Sequence, residues 1–209
     1  MTLVSSRVRA GFSRQPRRSP GRAARIRLAL ILAASAAFAS CAAAQGARPE
    51  EYQVKAVYLY NFGRFIDWPA AAAKDDSFAI CVLGGDPFGA ALDATVAGEK
   101  IGDRNLVARR IATAHDAPGC RILFVSSSEA SHVKDILGSL NNSSILTVSD
   151  IPGFTGDGGM IEFVTRENKV RFEVNLTRAD KAGLIFSSQL LKVAADVRRE
   201  PGDNPGATP

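Results

Sequence analysis

Two largely apolar runs indicate the fold class: FAICVLGG at residues 78–85 and CRILFV at residues 120–125. Apart from Arg121, each run is apolar or small at successive positions rather than alternating, which is typical of strands that are covered on both faces. Two further β-prone runs lie at residues 106–111 and 145–148. Helical patterns alternate with these strands. The alternation predicts an α/β fold, a single domain with a mostly parallel sheet flanked by helices in Rossmann-like layers.

The segments on either side of these runs predict the remaining elements. Residues 50–66 are apolar at too many positions for one narrow stripe, which indicates a largely buried helix. Serines before residues 129–139 can cap another helix. Residues 160–176 contain two β-prone runs around a polar centre and predict a C-terminal hairpin. A helix is expected over about residues 178–197, with a break near Gly183.

The positive charge of the chain is concentrated at its N-terminus. The 209 residues include 26 Lys and Arg against 21 Asp and Glu, a formal net charge of +5. Residues 1–44 contain eight arginines and no acidic residue, so 18 basic residues face 21 acidic ones from residue 45 onward. A nucleic-acid-binding domain needs a basic excess of its own. No nucleic-acid partner is therefore expected.

An export signal accounts for the N-terminal arginines. They precede LALILAASAAFA at residues 28–39, and a basic segment before a short apolar run is typical of a secretory signal. Twelve residues span about 18 Å as a helix, less than the bilayer core of about 30 Å. We expect Sec export to the periplasm with cleavage after Ala44. An uncleaved anchor and lipidation of Cys41 are the alternatives. The chain then has three predicted parts: a signal peptide at 1–44, a domain at 45–198 and a disordered tail at 199–209.

Cysteine counting points to a disulfide bond. The chain has three cysteines, and removal of Cys41 with the signal leaves Cys81 and Cys120. An even pair in an exported domain is a candidate disulfide. Each cysteine lies in or beside an apolar run, so the two runs would have to be neighbouring strands. Two buried free thiols are the alternative.

Polar residues that follow the predicted strands form a candidate ligand crevice. Gly84, Gly85 and Asp86 follow one strand, and Ser149 and Asp150 follow another. Open α/β sheets hold ligands at the carboxyl ends of their strands. The alternative is that the two aspartates only cap helices or shape turns.

Catalytic chemistry has little support in the sequence. The only histidines, His115 and His132, have no second metal ligand at a suitable spacing. The chain contains no G-x-S-x-G, H-E-x-x-H or P-loop motif. We therefore expect no metal site, no cofactor and no enzymatic activity.

Four segments together resemble those of one known family. They are EYQVKAVYLYNFGRFIDWP (51–69), FAICVLGGDPFG (78–89), CRILFV (120–125) and SILTVSDIPGFTGDGGMIEFVTRENKVRFEVNLTRADKAGLIFSSQLLKVA (144–194). In this order they cover nearly the whole chain from residue 51 onward. The combination resembles the YfiR-type periplasmic repressors.

The resemblance implies a non-enzymatic regulator with an α/β fold. Such proteins bind the periplasmic sensor domain of an inner-membrane diguanylate cyclase and hold it inactive, so that cyclic-di-GMP stays low. An OmpA-like outer-membrane lipoprotein can sequester the repressor, and a homodimer is implied. A disulfide between Cys81 and Cys120 is implied as well. Some relatives carry a second cysteine pair in the loop at about 155–162, and this chain does not.

The glycine-rich segment 153–159 and the hairpin after it are the expected partner surface. The segment GFTGDGG carries one aromatic residue as a candidate for exposure; the segment either makes only a tight turn or is a flexible loop that presents this ring for contact. The candidate contact residues are Phe154, Asp157, Glu162, Arg171 and Glu173. The alternative function is a periplasmic small-ligand sensor that uses the crevice and acts with a different membrane receptor, such as a sensor kinase.

Overall fold

The computed structural model describes residues 47–69, 76–141 and 143–199. These residues lie in the second of two units into which the chain divides, Gly46–Pro209. The predicted signal peptide, its cleavage site and Cys41 lie outside the described residues, as does the predicted tail beyond residue 199.

Five helices and ten strands make up the described part of the chain. The helices are α1 (Ala47–Phe65), α2 (Ala90–Val96), α3 (Val133–Ser139), α4 (Leu176–Lys181) and α5 (Ser188–Val193). The strands are β1 (Ile66–Asp67), β2 (Ser77–Leu83), β3 (Lys100–Ile101), β4 (Arg104–Ile111), β5 (Cys120–Val125), β6 (Leu146–Ser149), β7 (Ile161–Arg166), β8 (Lys169–Asn175), β9 (Ile185–Phe186) and β10 (Asp196–Arg198). Short 3-10 turns occur at Ala114–Asp116 and Ser127–His132.

Eight strands form one mixed sheet in the order β10-β8-β7-β6-β5-β2-β4-β3. The five strands from β4 to β7 in this order are mutually parallel, while β8 and β3 join antiparallel. The predicted α/β class with a mostly parallel sheet and a C-terminal hairpin is confirmed. The chain proceeds from β2 to β4 on one side and then from β5 to β7 on the other. The strand order therefore reverses between β2 and β5, where open sheets of this kind hold their ligands.

The sheet is buried on both faces, as the continuous apolar runs predict. Ile80 and Val82 of β2 contribute to a core beneath α1 and α2. Cys81 and Leu83 point to the other face and join a second core with α3. On the first face, Phe62 of α1 packs against aromatic rings of β7 and β8, with centroid distances of 5.9 and 5.1 Å. The long helix α1 is thus fixed across the hairpin end of the sheet.

The C-terminal segment differs from the prediction. In place of a helix over 178–197, two short helices alternate with two short strands. The backbone turns at Gly183, whose φ is +72°. Ile185–Phe186 then pairs with Ile66–Asp67, and Asp196–Arg198 adds to β8 as an edge strand. Hydrogen bonding to distant segments outweighs the local helix propensity.

Candidate functional site: a charged cavity and a clamped loop at the carboxyl edge

The predicted disulfide is confirmed. Cys81 on β2 and Cys120 at the start of β5 are bonded, with a Cα–Cα distance of 5.9 Å. Both residues are buried, on neighbouring parallel strands. Structural disulfides persist in oxidising compartments. The bond fits a periplasmic location.

The point of strand reversal is filled by the protein itself. The backbone N–H of Gly85 donates to Ser128 Oγ at 2.9 Å, and Ser128 Oγ donates to Glu129 Oε1 at 3.1 Å. A side chain at Gly84, whose φ is +87°, would overlap Ser128 and Glu129. Gly84 and Gly85 therefore allow the β2 and β5 loops to pack closely together.

Asp86 makes structural contacts. Its Oδ1 accepts from the N–H of Phe88 at 2.8 Å, just before α2, and its Oδ2 accepts from Arg110 Nε at 2.9 Å. Arg110 also donates to both oxygens of Asp93 on α2. The hydrogen bonds to Asp93 raise the pKa of the Arg110 guanidinium, which therefore stays charged. These contacts give Asp86 the alternative role, that of shaping the turn before α2.

Asp150, the other aspartate of the predicted crevice, lies in a buried charge cluster. Its Oδ2 accepts from Lys55 Nζ and from the Tyr52 hydroxyl, both at 2.7 Å. Lys55 is only 3 % exposed. Its ammonium also lies 2.6 Å from Glu51 Oε1 and 4.4 Å from the centre of the Tyr52 ring. We call these four residues, Glu51, Tyr52, Lys55 and Asp150, the Lys55–Asp150 centre.

This centre forms one wall of a cavity of about 430 Å³. Strand β7 and the segments that follow β5 and β6 supply the rest. The lining residues are Glu51, Tyr52, Lys55, Ser127, Asp150, Pro152, Glu162, Phe163, Val164 and Thr165. Three carboxylates and one ammonium line the cavity, a formal net charge of −2. Asp150 thus lies at a cavity beside α1 and the hairpin rather than beside Gly84, so the structure does not bring the predicted crevice residues together.

Lys55 and Tyr52 are the residues that sequence reasoning missed. Both lie in the segment EYQVKAVYLY, where the apolar positions indicated a buried helix. A lysine inside such a helix must find a carboxylate, because an unpaired buried charge is costly. A lysine within an apolar helical segment was therefore the sequence signal for a buried ion pair. Its partner Asp150 is 95 residues further along the chain.

The glycine-rich loop after Asp150 is clamped by Glu162. The Glu162 carboxylate accepts from the N–H groups of Gly153 and Thr155 and from the Thr155 hydroxyl, at 2.9, 3.1 and 3.2 Å. Asn175 Nδ2 donates to the Thr155 carbonyl at 3.0 Å. The loop is therefore rigid rather than flexible.

Phe154 anchors the loop from inside. The expectation of an exposed ring is wrong, because Phe154 is fully buried in the core beside α3. The N–H of Gly159 donates to the Phe154 carbonyl at 2.8 Å, and a Cβ on Gly159 would overlap the ring. The aromatic residue holds the loop onto the domain instead of presenting it to a partner.

Replacement of Gly159 by alanine is expected to destabilise the protein by about 1–3 kcal/mol, because the added methyl group overpacks a filled core. Urea unfolding followed by the fluorescence of Trp68, the one tryptophan of the chain, measures the change. Gly138→Ala on α3 is the matched control, since no atom lies within 4 Å of the added Cβ there. Equal stability of the two variants would contradict the Phe154 contact.

The remaining predicted contact residues divide into buried and exposed ones. Glu162 and Glu173 are buried and lie opposite each other on β7 and β8. Glu173 accepts from Arg166 at 2.9 Å and from Arg198 at 3.2 Å, which ties β10 to the hairpin. Asp157 and Arg171 are exposed. Only these two remain open to a partner.

Two general findings concern the described ranges 47–69, 76–141 and 143–199. No helix in them combines the length and apolarity needed to cross a bilayer. No group of three or more His, Cys, Asp or Glu side chains in them is arranged to hold a metal ion.

These features define a class: a disulfide-bonded α/β domain with a charged cavity at the carboxyl edge of its sheet. Comparison with known proteins gives the family. The chain belongs to the YfiR/HmsC-like family, whose model matches residues 52–195. This family is regulatory rather than catalytic, and membership suggests a periplasmic regulator of a diguanylate cyclase. No curated protein matches the chain.

Two solved structures are similar to part of the chain. A conserved domain protein from Vibrio cholerae O1 biovar El Tor is 12 % identical, with a TM-score of 0.43, over 57 % of this chain and 54 % of that one. The ABC domain in complex with L-Trp from Streptococcus pneumoniae is 10 % identical, with a TM-score of 0.49, over 71 % and 60 %. The chain therefore spans between half and two thirds of the length of each.

Proposed function

We propose that this protein is a periplasmic regulator that binds the periplasmic sensor domain of an inner-membrane diguanylate cyclase and inhibits it, which lowers cyclic-di-GMP. The observation that carries the proposal is the family match over residues 52–195. The buried Cys81–Cys120 disulfide supports an oxidising compartment. The export signal expected at residues 1–44 agrees with that location.

Inhibition of this kind requires only differential binding. A receptor that exchanges between active and inactive states is shifted by a protein that binds the inactive state more tightly. A hundredfold difference in affinity, about 2.7 kcal/mol, changes the ratio of the two states a hundredfold. Contact residues on a rigid surface are sufficient for this role.

The clamped loop and the adjoining hairpin are the proposed contact surface. Asp157 on the loop and Arg171 on β8 are exposed charges, and Glu162 and Phe154 hold the backbone beneath them. A surface that is already ordered loses little conformational entropy on binding. The buried residues Phe154, Glu162 and Glu173 support this surface rather than touch the partner.

Deletion of the gene is expected to raise intracellular cyclic-di-GMP, and the wild-type gene should restore the low level. In the same strain, Arg171→Glu is expected to fail in restoration and to weaken binding to the purified sensor domain about tenfold or more, since charge reversal adds repulsion at the contact. Mass spectrometry and biolayer interferometry measure the two effects.

Arg109→Glu is the matched control for this experiment. Arg109 is an exposed arginine on β4, separated from β8 by four strands of the sheet. At about 4.8 Å per strand it lies more than 20 Å from Arg171. It should restore low cyclic-di-GMP as the wild type does. If the two variants behaved alike, the result would contradict the proposed contact surface. An unchanged cyclic-di-GMP level on deletion would contradict the proposed function.

Two further partners belong to the proposal. An OmpA-like outer-membrane lipoprotein would sequester the regulator and release the cyclase. A second copy of the chain would form a homodimer. Both follow from the resemblance described above.

A second candidate function is small-ligand sensing with a different membrane receptor, such as a sensor kinase. The observation that favours it is the cavity of about 430 Å³ beside Asp150. Binding domains of α/β type hold their ligands at this edge of the sheet. The two functions are compatible, because Glu162 lines the cavity and its carboxylate also holds the clamped loop.

A further inference from the structure

We propose that the cavity at the Lys55–Asp150 centre binds a small organic cation, an aliphatic amine with one or two ammonium groups. The proposal rests on the ligand-sensing function above and not on inhibition of a cyclase. Three features of the cavity carry it: its net charge, the way in which it already holds one ammonium group, and an unfilled acceptor.

The charge of the cavity favours a cation. Three carboxylates, those of Glu51, Asp150 and Glu162, and one ammonium, that of Lys55, line the cavity. Glu162 and Lys55 are buried. The Glu162 oxygens are occupied by the loop N–H groups and a hydroxyl, which stabilise the charge without cancelling it. Charges of one sign in a partly desolvated space repel each other and raise the local attraction for an opposite charge. A cationic ligand would lower this repulsion, whereas an anion would increase it.

Lys55 shows how the cavity accommodates an ammonium group. Its Nζ lies between Glu51 Oε1 and Asp150 Oδ2, at 2.6 and 2.7 Å. It also lies 4.4 Å from the Tyr52 ring centre and 5.8 Å from that of Phe163. Carboxylates together with aromatic faces are the surroundings in which proteins hold organic cations. All five of these residues, Glu51, Tyr52, Lys55, Asp150 and Phe163, line the cavity.

Asp150 retains an acceptor without a donor. Its side chain is 10 % exposed, and no described residue donates a hydrogen bond to Oδ1. A buried carboxylate oxygen without a donor is costly, and most such atoms in proteins are paired. An ammonium or a protonated amine supplies several donors. Asp150 lines the cavity, so rotation of its carboxylate on ligand binding would give Oδ1 the missing donor.

A second cavity extends the first along α1. It measures about 440 Å³, and the two share Glu51 and Thr165. Its lining adds the apolar side chains of Val54 and Val170, the amide of Asn168, and one carboxylate and one ammonium, those of Glu50 and Lys169, whose formal charges offset each other. An elongated amine can therefore place one ammonium near Asp150 and its methylene chain along these valines. A linear diamine has the matching pattern, with ammonium groups for the charged part of the lining and a methylene chain for the apolar part.

Isothermal titration of the purified mature protein with putrescine at low ionic strength tests the proposal. We expect saturable one-to-one binding and a rise in melting temperature. Neither 1,4-butanediol, which has the same carbon chain without charge, nor succinate, a dianion of similar length, should bind. No putrescine binding up to the low-millimolar range, equal binding of butanediol or succinate, or displacement of putrescine by equimolar CaCl₂ would overturn the proposal.

Glu51→Gln locates the site without disturbing the buried pair, since Glu51 is 38 % exposed and Lys55 keeps Asp150. We expect roughly tenfold weaker putrescine binding, the effect of losing one charged hydrogen-bond partner. Asp103→Asn is the control, because it removes one negative charge at the opposite end of the sheet, between β3 and β4. Equal affinities of the two variants would overturn the assignment of the site.

Thr165→Lys gives an independent check, because it adds a competing ammonium at the junction of the two cavities. It should abolish putrescine binding while the melting temperature without ligand stays near that of the wild type. Binding as tight as in the wild type would contradict the site. Cyclic-di-GMP in the deletion strain is measured separately. A loss of putrescine binding and a failure of the cyclase proposal are therefore different results.

Discussion

Lys55→Met is expected to lower the free energy of unfolding by about 3–5 kcal/mol, as is usual when one partner of a buried ion pair is removed. Methionine keeps the apolar stem of the side chain, so the loss reports on the charge. Asp150 would lose the ammonium 2.7 Å from its Oδ2 and keep only the Tyr52 hydroxyl. Urea unfolding monitored by circular dichroism and by Trp68 fluorescence measures the change.

Two further variants make the result specific to the pair. Lys134→Met removes an ammonium that is 80 % exposed and lies 3.4 Å from Asp157, so it should cost about 0.5 kcal/mol or less. Lys55→Met combined with Asp150→Asn should be less destabilised than the sum of the single variants by about 1–3 kcal/mol. Strict additivity, or a Lys55→Met variant as stable as Lys134→Met, would contradict the buried pair.

Loss of the disulfide is the second large effect. The double variant Cys81→Ala/Cys120→Ala is expected to be less stable than the oxidised protein by about 3–4 kcal/mol. In the chain-entropy model this is the contribution of a bridge that closes a loop of about 40 residues. The bond joins two central parallel strands that carry both cores, so the whole domain should unfold at lower urea concentration. Equilibrium urea unfolding without reductant measures the midpoint.

Comparison with the reduced wild-type protein separates the stabilisation by the covalent bond from the stabilisation by packing of the sulfur atoms. The reduced protein is unfolded in dithiothreitol and then compared with the variant under the same conditions. The remaining difference measures the packing loss of two buried side chains, and it should be about 2 kcal/mol or less because each change removes one atom. A double variant as stable as the oxidised wild type would refute a stabilising role for the bond.

Elements that depend on neighbouring residues were predictable from the sequence. Apart from Arg121, the runs at 78–85 and 120–125 are apolar or small at successive positions, so burial on both faces follows from the residues themselves. The hairpin turn is local as well, since Glu167 and Asn168 adopt positive φ values of 51° and 57° between two β-prone runs. The pairing of Cys81 with Cys120 followed from cysteine number and export rather than from geometry.

Elements that depend on distant residues were not predictable in this way. The segment after Gly183 has helical composition, yet Ile185–Phe186 pairs with Ile66–Asp67, which no local pattern encodes. Phe154 lies in a polar, glycine-rich segment typical of an exposed loop, and Glu162 is a charged residue on a strand of the hairpin. Their burial depends on a pocket beside α3 and on loop N–H groups that only the folded chain brings together.

The α/β class, the covered parallel sheet, the disulfide and the family resemblance were predictable, because they depend on local periodicity, cysteine number and motif order. The positions of the charges depend on the tertiary fold. The fold placed Lys55 against Asp150 across 95 residues, separated both from Asp86, and turned the expected contact residues Phe154 and Glu162 into supports of the loop. A buried charge is stabilised by whichever partner the fold brings within about 3 Å, and sequence distance has no bearing on that contact.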